Sequence, residues 1–149
     1  MIKKITIWFL CLSVLFGQFS IAEEKFLSLK KSKVNVRYGP SFDSKIKYIY
    51  KKINLPIKQI DQKENFRRIV DLKNNSGWIH ISQIKKSNSI IILEDKILYK
   101  KPSNFSKPIA KLEKGRLLIL KKCKNIWCNV KTEDYSGWVK TENIWGSIR

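Results

Sequence analysis

A chain of 149 residues has room for one domain or for two small ones. Its formal net charge of +19 at pH 7 is large for that size and favours contact with anionic partners, such as wall polymers, lipopolysaccharide or lipid head groups. No basic cluster has the spacing of a nucleic-acid motif, so nucleic acid is not expected as a partner. The excess of positive charge comes mostly from Lys and accompanies abundant Ile and Asn, so the composition bias of an AT-rich gene explains the charge equally well.

Residues 1–22 have the parts of a secretory signal peptide. A basic start is followed by an apolar stretch, Ile5 to Phe19, and then by Ser20-Ile21-Ala22, which has the small-x-small form of a cleavage site. The stretch is shorter than the about 20 apolar residues that span a bilayer, so we expect cleavage after Ala22 rather than a retained anchor. Cys11 lacks the preceding small residue of a lipidated cysteine. The protein is therefore predicted to be periplasmic or secreted.

The mature part begins with strands and a Gly-Pro turn. Phe26, Leu27 and Leu29 predict a short first strand. The alternation of residues 34–37 predicts a second, half-buried strand. Gly39-Pro40 ends that strand, because Pro fixes its φ angle and donates no N–H. Further strand-like segments separated by turns follow at residues 46–49, 55–61, 66–71 and 78–81, and Ile84 closes the unit.

From residue 90 the same order of segments recurs. The segment Ser76-Gly77-Trp78-Ile79 returns as Ser136-Gly137-Trp138-Val139, and Phe66 corresponds to Trp127. Repetition at a constant spacing indicates a tandem duplication. We predict a signal peptide over residues 1–22, a first domain over residues 23–86 and a second over residues 87–149.

The strand-and-turn motif at residues 34–44 differs between the copies. The sequence alignment places Leu98 at the position of Asn35, Lys100 at that of Arg37, and Lys101-Pro102 at that of Gly39-Pro40. By this alignment the second copy is the more altered at this motif, which leaves open lost binding or a purely structural role.

The motif V-N-V-R-Y-G-P-S-x-x-S at residues 34–44, followed by Ser76-Gly77-Trp78-Ile79, resembles that of the bacterial SH3-like (SH3b) family. The run from Ala110 to Gly115, together with Cys123, Trp127-Cys128 and Trp145-Gly146, resembles the second module of a secreted SH3-like family of Gram-negative bacteria. The resemblance implies an all-β fold with two tandem small SH3-like β-barrels after the signal peptide. It implies a fold and a compartment more firmly than an activity.

Each copy has about 60 residues, a size at which a single core is marginal. Packing the two barrels together would protect more apolar surface from water. The run Ile90-Ile91-Ile92-Leu93 is the candidate for a strand buried between them. We therefore expect one compact unit.

Cys123 and Cys128 are the only cysteines after the signal peptide, and they flank a predicted hairpin turn. Cysteines on paired strands can come within disulfide reach, and an exported protein enters an oxidising compartment. We predict a disulfide between them. The alternatives are a redox pair or a metal site, but the spacing is not Cys-x-x-Cys and no other Cys or His lies nearby to complete a zinc site.

The sequence offers little for catalysis. His80 is the single histidine and falls on the exposed phase of a strand, so we expect a solvated surface residue rather than a partner for a cysteine nucleophile. The acidic residues form no obvious pair for general acid–base catalysis, and the sequence has no Gly-rich phosphate loop or metal-ligand cluster. We expect a protein that is not an enzyme and has no cofactor or metal.

Aromatic residues near the Gly-Pro turn are the candidate ligand contacts. In SH3-like barrels the corresponding loop borders a groove for peptide or wall ligands, so the resemblance implies contacts from Arg37, Tyr38 and Phe42, and from Tyr135 in the second copy. Trp78 and Trp138 are equally explained as core residues.

The sequence thus predicts a non-catalytic binding module of the cell envelope, with peptidoglycan or its peptide stems as the leading ligand. The alternatives are an adaptor that binds an envelope protein through a peptide groove and, with less support, a wall hydrolase or redox enzyme. The partner is expected to be a wall polymer, an envelope protein or an anionic envelope surface.

Overall fold

A computed structural model describes residues 23–148, which form two seven-stranded antiparallel sheets. The predicted signal peptide, Cys11 included, lies outside the described residues. Within residues 23–148, no helix is long and apolar enough to cross a membrane.

The first sheet is made from residues 25–86. Its strands are β1 (Lys25–Leu29), β2 (Val34–Arg37), β3 (Ile46–Tyr50), β4 (Pro56–Lys63), β5 (Phe66–Val70), β6 (Ser76–His80) and β7 (Ile84–Lys86). A short 3-10 helix, Ile81–Gln83, joins β6 to β7. The spatial order of the strands is β3-β2-β6-β5-β4-β1-β7.

The second sheet repeats the first. Its strands are β8 (Ser89–Ile92), β9 (Lys96–Tyr99), β10 (Pro108–Leu112), β11 (Leu117–Lys124), β12 (Trp127–Lys131), β13 (Ser136–Lys140) and β14 (Ile144–Gly146). Their order, β10-β9-β13-β12-β11-β8-β14, is that of the first sheet with each strand replaced by its counterpart. The predicted all-β architecture of two tandem barrels is confirmed.

Each barrel has its own core, made by the alternation of strand residues. In β2, Val34 and Val36 are fully buried, while Asn35 and Arg37 between them remain partly accessible. Burying such a side chain contributes roughly 1.5–3 kcal/mol. The first core consists of Leu29, Val34, Val36, Ile57, Ile69, Ile79 and Ile84. The second consists of Ile90, Ile92, Leu98, Leu112, Leu118, Cys128, Val130 and Val139.

A short polar chain connects the two barrels. The hydroxyl of Ser89 donates to the carbonyl of Asn54, which leaves the hydroxyl of Ser28 to donate to Ser89 Oγ at 2.8 Å. Both serines are fully buried. The backbone N–H of Asn88 donates in turn to Ser28 Oγ at 3.3 Å. A buried polar group is costly without a partner, so these hydrogen bonds make the docked arrangement specific.

An aromatic contact reinforces the junction. The indole N–H of Trp145 in the second barrel donates to the carbonyl of Pro56 in the first at 3.0 Å. The Trp145 ring also meets Phe26 edge to face, with centroids 5.2 Å apart. Strand β8 beside them is buried along its whole length, as expected for the Ile90–Leu93 run. The two barrels are therefore packed against each other as one unit.

The pairing of strands corrects the alignment of the two copies by one residue. A Cβ on Gly77 would meet Val36 and the carbonyl of Arg37, whereas a Cβ on Gly137 would meet Leu98 and the carbonyl of Tyr99. Trp78 pairs with Arg37, and Trp138 pairs with Tyr99. Leu98 therefore corresponds to Val36 and not to Asn35, and Tyr99 rather than Lys100 corresponds to Arg37.

With the corrected register, the second copy retains more of the turn motif than the sequence alignment suggested. In the first barrel the N–H of Ser44 donates to the carbonyl of Ser41 at 3.3 Å, and in the second the N–H of Ser106 donates to that of Ser103 at 3.1 Å. Each first serine also accepts, through Oγ, the N–H two residues later. The P-S-x-x-S turn is thus built in the same way in both barrels.

Candidate functional site

A surface cleft of about 270 Å³ lies where the end of β2 meets the start of β6 in the first barrel. The side chains that line it come from β2, β3, β5 and β6 and from the residue after β2. They are Arg37, Tyr38, Lys47, Arg68, Ser76, Gly77 and Trp78. The missing side chain of Gly77 lets β6 approach β2 and places Trp78 opposite Arg37. Arg68 is the cross-strand neighbour of Trp78 on the other side, in β5.

The cleft is strongly cationic. Three of its seven lining residues carry a positive charge, namely Arg37, Lys47 and Arg68, and none carries a negative charge. The ammonium of Lys47 donates to the carbonyl of Ser76 at 2.8 Å and lies 5.6 Å from the ring centre of Tyr38. Cations gathered in a concave surface concentrate their field there, so the site suits a carboxylate or another anion.

Tyr38 supplies an accessible aromatic surface at the edge of the cleft. Its side chain is 67% exposed. Its backbone N–H donates to the carbonyl of Lys45 at 3.1 Å, so the main chain that carries the ring is held in place. A phenol ring in this position offers an apolar face beside the cations. The structure therefore brings the predicted contacts Arg37 and Tyr38 together in one cleft.

Arg37 braces the turn that follows β2. Its Nη1 group donates to the carbonyl of Phe42 at 2.9 Å and to that of Ser44 at 2.8 Å. The guanidinium also lies 5.7 Å from the ring centre of Phe42. Hydrogen bonds from a charged donor are stronger than neutral ones. Arg37 therefore holds the P-S-x-x-S turn in place as well as contributing charge.

Phe42 does not line the cleft and is held by other rings. It is 61% exposed, but one face packs against Phe66 and His80, with ring centroids 5.2 Å and 4.8 Å away. His80, expected as a solvated residue, is half-buried in this cluster and shares a hydrogen bond of 2.8 Å between Nδ1 and Ser82 Oγ. These ring contacts hold Phe42, and with it the loop after β2, against β5 and β6.

Tyr135, the candidate from the second barrel, is in the turn between β12 and β13. Its N–H donates to Thr132 Oγ1 at 2.9 Å, and its carbonyl accepts the N–H of Thr132 at 2.8 Å. The side chain is exposed. It is not among the residues that line the cleft of the first barrel.

Lys47 and Arg68 are functional candidates that the sequence reasoning missed. Both belong to strands that the sequence predicted, and Arg68 falls on the outward phase of β5. The available signal was the alternation of that strand, but only the register of β5 against β6 shows that Arg68 meets Trp78.

The second barrel does not reproduce this site. At the positions of Arg37, Lys47 and Arg68 it carries Tyr99, Ile109 and Asn129, as the strand registers show. The Ser-Gly-Trp segment of β6 is retained, as Ser136, Gly137 and Trp138 of β13. These three positions are therefore uncharged in the second barrel, where other lysines lie instead: Lys100 takes the place of Tyr38, and the ammonium of Lys122 lies 5.7 Å from the ring centre of Trp138.

The two cysteines of the second barrel form a disulfide, as predicted. Cys123 and Cys128 are direct cross-strand partners on β11 and β12, with Cα atoms 4.0 Å apart. Cys128 is fully buried in the core. Among residues 23–148, no three His, Cys, Asp or Glu side chains are grouped so that they could hold a metal ion.

Comparisons with known proteins identify the repeat unit. A family model described as "Bacterial SH3 domain" matches residues 30–86 and again residues 95–146. No curated protein matches the chain. Two solved structures, NlpC2 and NlpC1 from Trichomonas vaginalis, are each 10% identical to it, with TM-scores of 0.39 and 0.38. The matches cover 84% and 86% of this chain but only 49% and 48% of those proteins, so the chain spans about half their length.

Proposed function

This chain belongs to the bacterial SH3 domain family, and we propose that it is a non-catalytic binding module of the cell envelope. Its first barrel recognises peptidoglycan through the peptide stems. Those stems present free carboxylates next to small apolar side chains, which is the chemistry that the cationic cleft and Tyr38 complement.

The observation that carries this proposal is the contrast between the two barrels. If the positive charge were only a consequence of composition, it would be scattered over the surface without regard to the cleft. Instead, Arg37, Lys47 and Arg68 surround the cleft of the first barrel, while uncharged residues take all three places in the second. This difference supports a ligand-binding role for the first barrel and a mainly structural role for the second.

Each cation has a distinct part in this proposal. Lys47 and Arg68 bind the carboxylates of the stem, and Arg68 is able to do so through two parallel N–H bonds. Arg37 holds the loop after β2 through its hydrogen bonds and adds to the positive potential of the cleft. Tyr38 packs against the apolar part of the stem.

A location in the periplasm or outside the cell is part of the proposal. The predicted signal peptide supports export, and the Cys123–Cys128 disulfide is of the kind that persists in oxidising compartments. The disulfide also supports a non-catalytic role, because neither sulfur is then available as a thiolate nucleophile.

The test is co-sedimentation of the protein with purified peptidoglycan sacculi over a series of salt concentrations. The double variant Lys47→Gln/Arg68→Gln is expected to bind roughly 3- to 30-fold more weakly, because each charge pair is worth a fraction of a kcal/mol to about 1 kcal/mol. Tyr38→Ala should weaken binding further without changing its dependence on salt. Lys63→Gln/Lys73→Gln is the matched control, since both lysines are exposed and neither lines the cleft.

Two outcomes would contradict the proposal. If the control variant loses as much binding as the cleft variant, the attraction is a general effect of net charge. If the wild-type protein does not sediment with sacculi at any salt concentration, the adaptor hypothesis takes precedence, in which the ligand is an envelope protein.

A further inference from the structure

A groove with a volume of about 980 Å³ lies between the two barrels. One wall is the turn between β3 and β4, which includes Lys51, Lys52, Ile53 and Asn54. The other is the outer face of β11 and β12 in the second barrel. Because the carbonyl of Asn54 accepts a hydrogen bond from the second barrel, the turn is fixed against that barrel and the width of the groove is set.

The rim of this inter-barrel groove is cationic. It carries five positive side chains and a single carboxylate, that of Glu133. The five are Lys51, Lys52, Arg116, Lys121 and Lys131. All five are exposed, and none forms an ion pair with any of residues 23–148. The field in the groove therefore favours a ligand with several negative charges.

The floor of the groove is apolar. Leu117 and Ile119 are half-buried there, while Ile53 from the opposite wall is 48% exposed. Leu117 and Ile119 are alternate residues of β11 and therefore point to the same side of the strand. Lys121, where the register of β11 against β12 shifts, also lines the groove. Alternate strand residues are about 7 Å apart, which is also the repeat of side chains along an extended peptide. The floor thus matches the repeat of a bound peptide strand.

We propose that the inter-barrel groove binds an extended acidic segment of a partner polypeptide. Acidic side chains of the segment face the lysines and Arg116 on the rim, and apolar side chains between them rest on Leu117 and Ile119. The groove shares no lining residue with the cleft of the first barrel, so this inference is independent of the proposed recognition of peptidoglycan.

The depth of the apolar floor favours a peptide over a membrane surface. Leu117 and Ile119 are less accessible than the cations around them, so a flat bilayer would reach the lysines without reaching the leucine and isoleucine. A single extended chain is narrow enough to enter. The volume lies at the upper end of the range for enclosed small-ligand sites, about 300–1,000 Å³, which is consistent with a segment of several residues.

The experiment is fluorescence anisotropy with a dye-labelled octapeptide in which glutamate and leucine alternate. A peptide with glutamine in place of glutamate serves as the neutral probe. The triple variant Lys51→Gln/Lys52→Gln/Lys131→Gln is expected to bind the acidic peptide at least about tenfold more weakly than the wild type. Ile53→Ser, a change in an exposed turn residue, should reduce the affinity about threefold at unchanged charge.

Two controls separate the groove from the rest of the surface. Lys63→Gln/Lys73→Gln/Lys100→Gln removes the same charge at exposed positions outside the groove and should leave the affinity unchanged. Lys47→Gln/Arg68→Gln alters the cleft and should also leave it unchanged, so failure of this inference and failure of the peptidoglycan proposal give different results.

Three results would overturn the inference. The first is equal binding of the neutral and acidic peptides. The second is an equal loss of affinity in the groove variant and in its charge-matched control. The third is binding to phosphatidylglycerol vesicles, weakened by the groove variant, with no binding of the acidic peptide, which would make the groove a membrane contact instead.

Discussion

Gly77 lies directly against Val36: a Cβ atom on residue 77 would come within 2.4 Å of Val36 Cγ1 and 3.0 Å of the carbonyl oxygen of Arg37. Strand β6 can therefore lie this close to β2 only if residue 77 has no side chain. This approach places Trp78 beside Arg37 and forms the wall of the cleft. The glycine of the repeated Ser-Gly-Trp segment is thus a packing requirement.

We expect Gly77→Ala to destabilise the first barrel by about 1–3 kcal/mol, because the added methyl group overpacks the core. Urea unfolding measures this as a lower midpoint at an unchanged slope. Val36→Ala removes the atom that the new methyl would strike, so the double variant should be less destabilised than the sum of the two single changes. Strict additivity would show that Gly77 is required for another reason.

The hydrogen bonds of Arg37 to the turn after β2 lead to a second prediction. Arg37→Gln removes the donor to Phe42 and Ser44, so the turn should open more often. We expect the amide of Ser44 to exchange its hydrogen about tenfold faster, since a bond from a charged donor is worth more than 1 kcal/mol. Hydrogen exchange followed by NMR gives the rate. Arg68→Gln, which also removes a cleft charge, should leave that rate unchanged, and equal acceleration in both would refute the bracing role.

The disulfide of the second barrel is directly testable by mass spectrometry. Protein from an oxidising compartment, alkylated without reduction, should show Cys123 and Cys128 free of the reagent, whereas two alkylated thiols would contradict the bond. The loop it closes is short, so Cys123→Ala/Cys128→Ala should lower the free energy of unfolding by about 2 kcal/mol from the lost cross-link. The loss of buried sulfur at Cys128 adds to that figure.

Burial raises the pKa of Tyr50 above its ordinary value of 10.0, and its hydrogen bonds with Tyr48 and Asp71 act in the same direction. In the unfolded chain the phenol ionises near its ordinary value, while in the folded chain it stays protonated. Above that pH the unfolded state binds fewer protons, so stability is complete below about pH 10 and falls as the pH rises further.

Tyr50→Phe should therefore flatten the loss of stability above about pH 10, measured by urea unfolding at a series of alkaline pH values. At neutral pH the same change should cost about 1 kcal/mol, because the phenol no longer donates to Asp71 Oδ2 at 3.0 Å. Parallel curves for the wild type and the variant would show that Tyr50 does not contribute to the alkaline transition.

The junction between the barrels can be weakened in two steps at Trp145. Trp145→Phe removes the N–H that donates to Pro56 but leaves a ring against Phe26, and should cost about 1 kcal/mol. Trp145→Ala removes both contacts and should cost about 3–5 kcal/mol. Calorimetry of the alanine variant should show two separated transitions in place of one. A single transition of unchanged width in both variants would indicate that the barrels are coupled by other contacts.

The sequence was a good guide to local structure. Alternation predicted β2, the Gly39-Pro40 pair predicted its end, and the repeated Ser-Gly-Trp segment predicted the duplication. These features depend on neighbours in the chain, so a single sequence carries them. The copy-to-copy alignment paired Pro102 with Pro40 correctly, at a separation of 62 residues, but it placed Leu98 and Lys100 one residue out, at a separation of 63. Ser103 and Ser106 repeat Ser41 and Ser44 at the same separation of 62, and this is the register that the strand pairing shows.

The sites were harder to predict, because they depend on register. Arg68 faces Trp78 only because β5 pairs with β6 in one particular offset, and a slip of one residue would turn its side chain to the other face. The inter-barrel groove combines Lys51 with Lys131, which are remote in the sequence and meet only through the docking of two barrels. Phe42 was correctly placed in the loop after the turn, but the rings of Phe66 and His80 that hold it lie on strands whose pairing the sequence does not reveal.

The connection between the barrels has a consequence for folding kinetics. Strand β7 ends at Lys86 and β8 begins at Ser89, so only Ser87 and Asn88 join them. A tether this short keeps the surface of the second barrel beside Ser28 and Asn54 throughout folding, at a very high effective concentration. Docking should therefore follow at once when the second core forms, without a slow diffusional search.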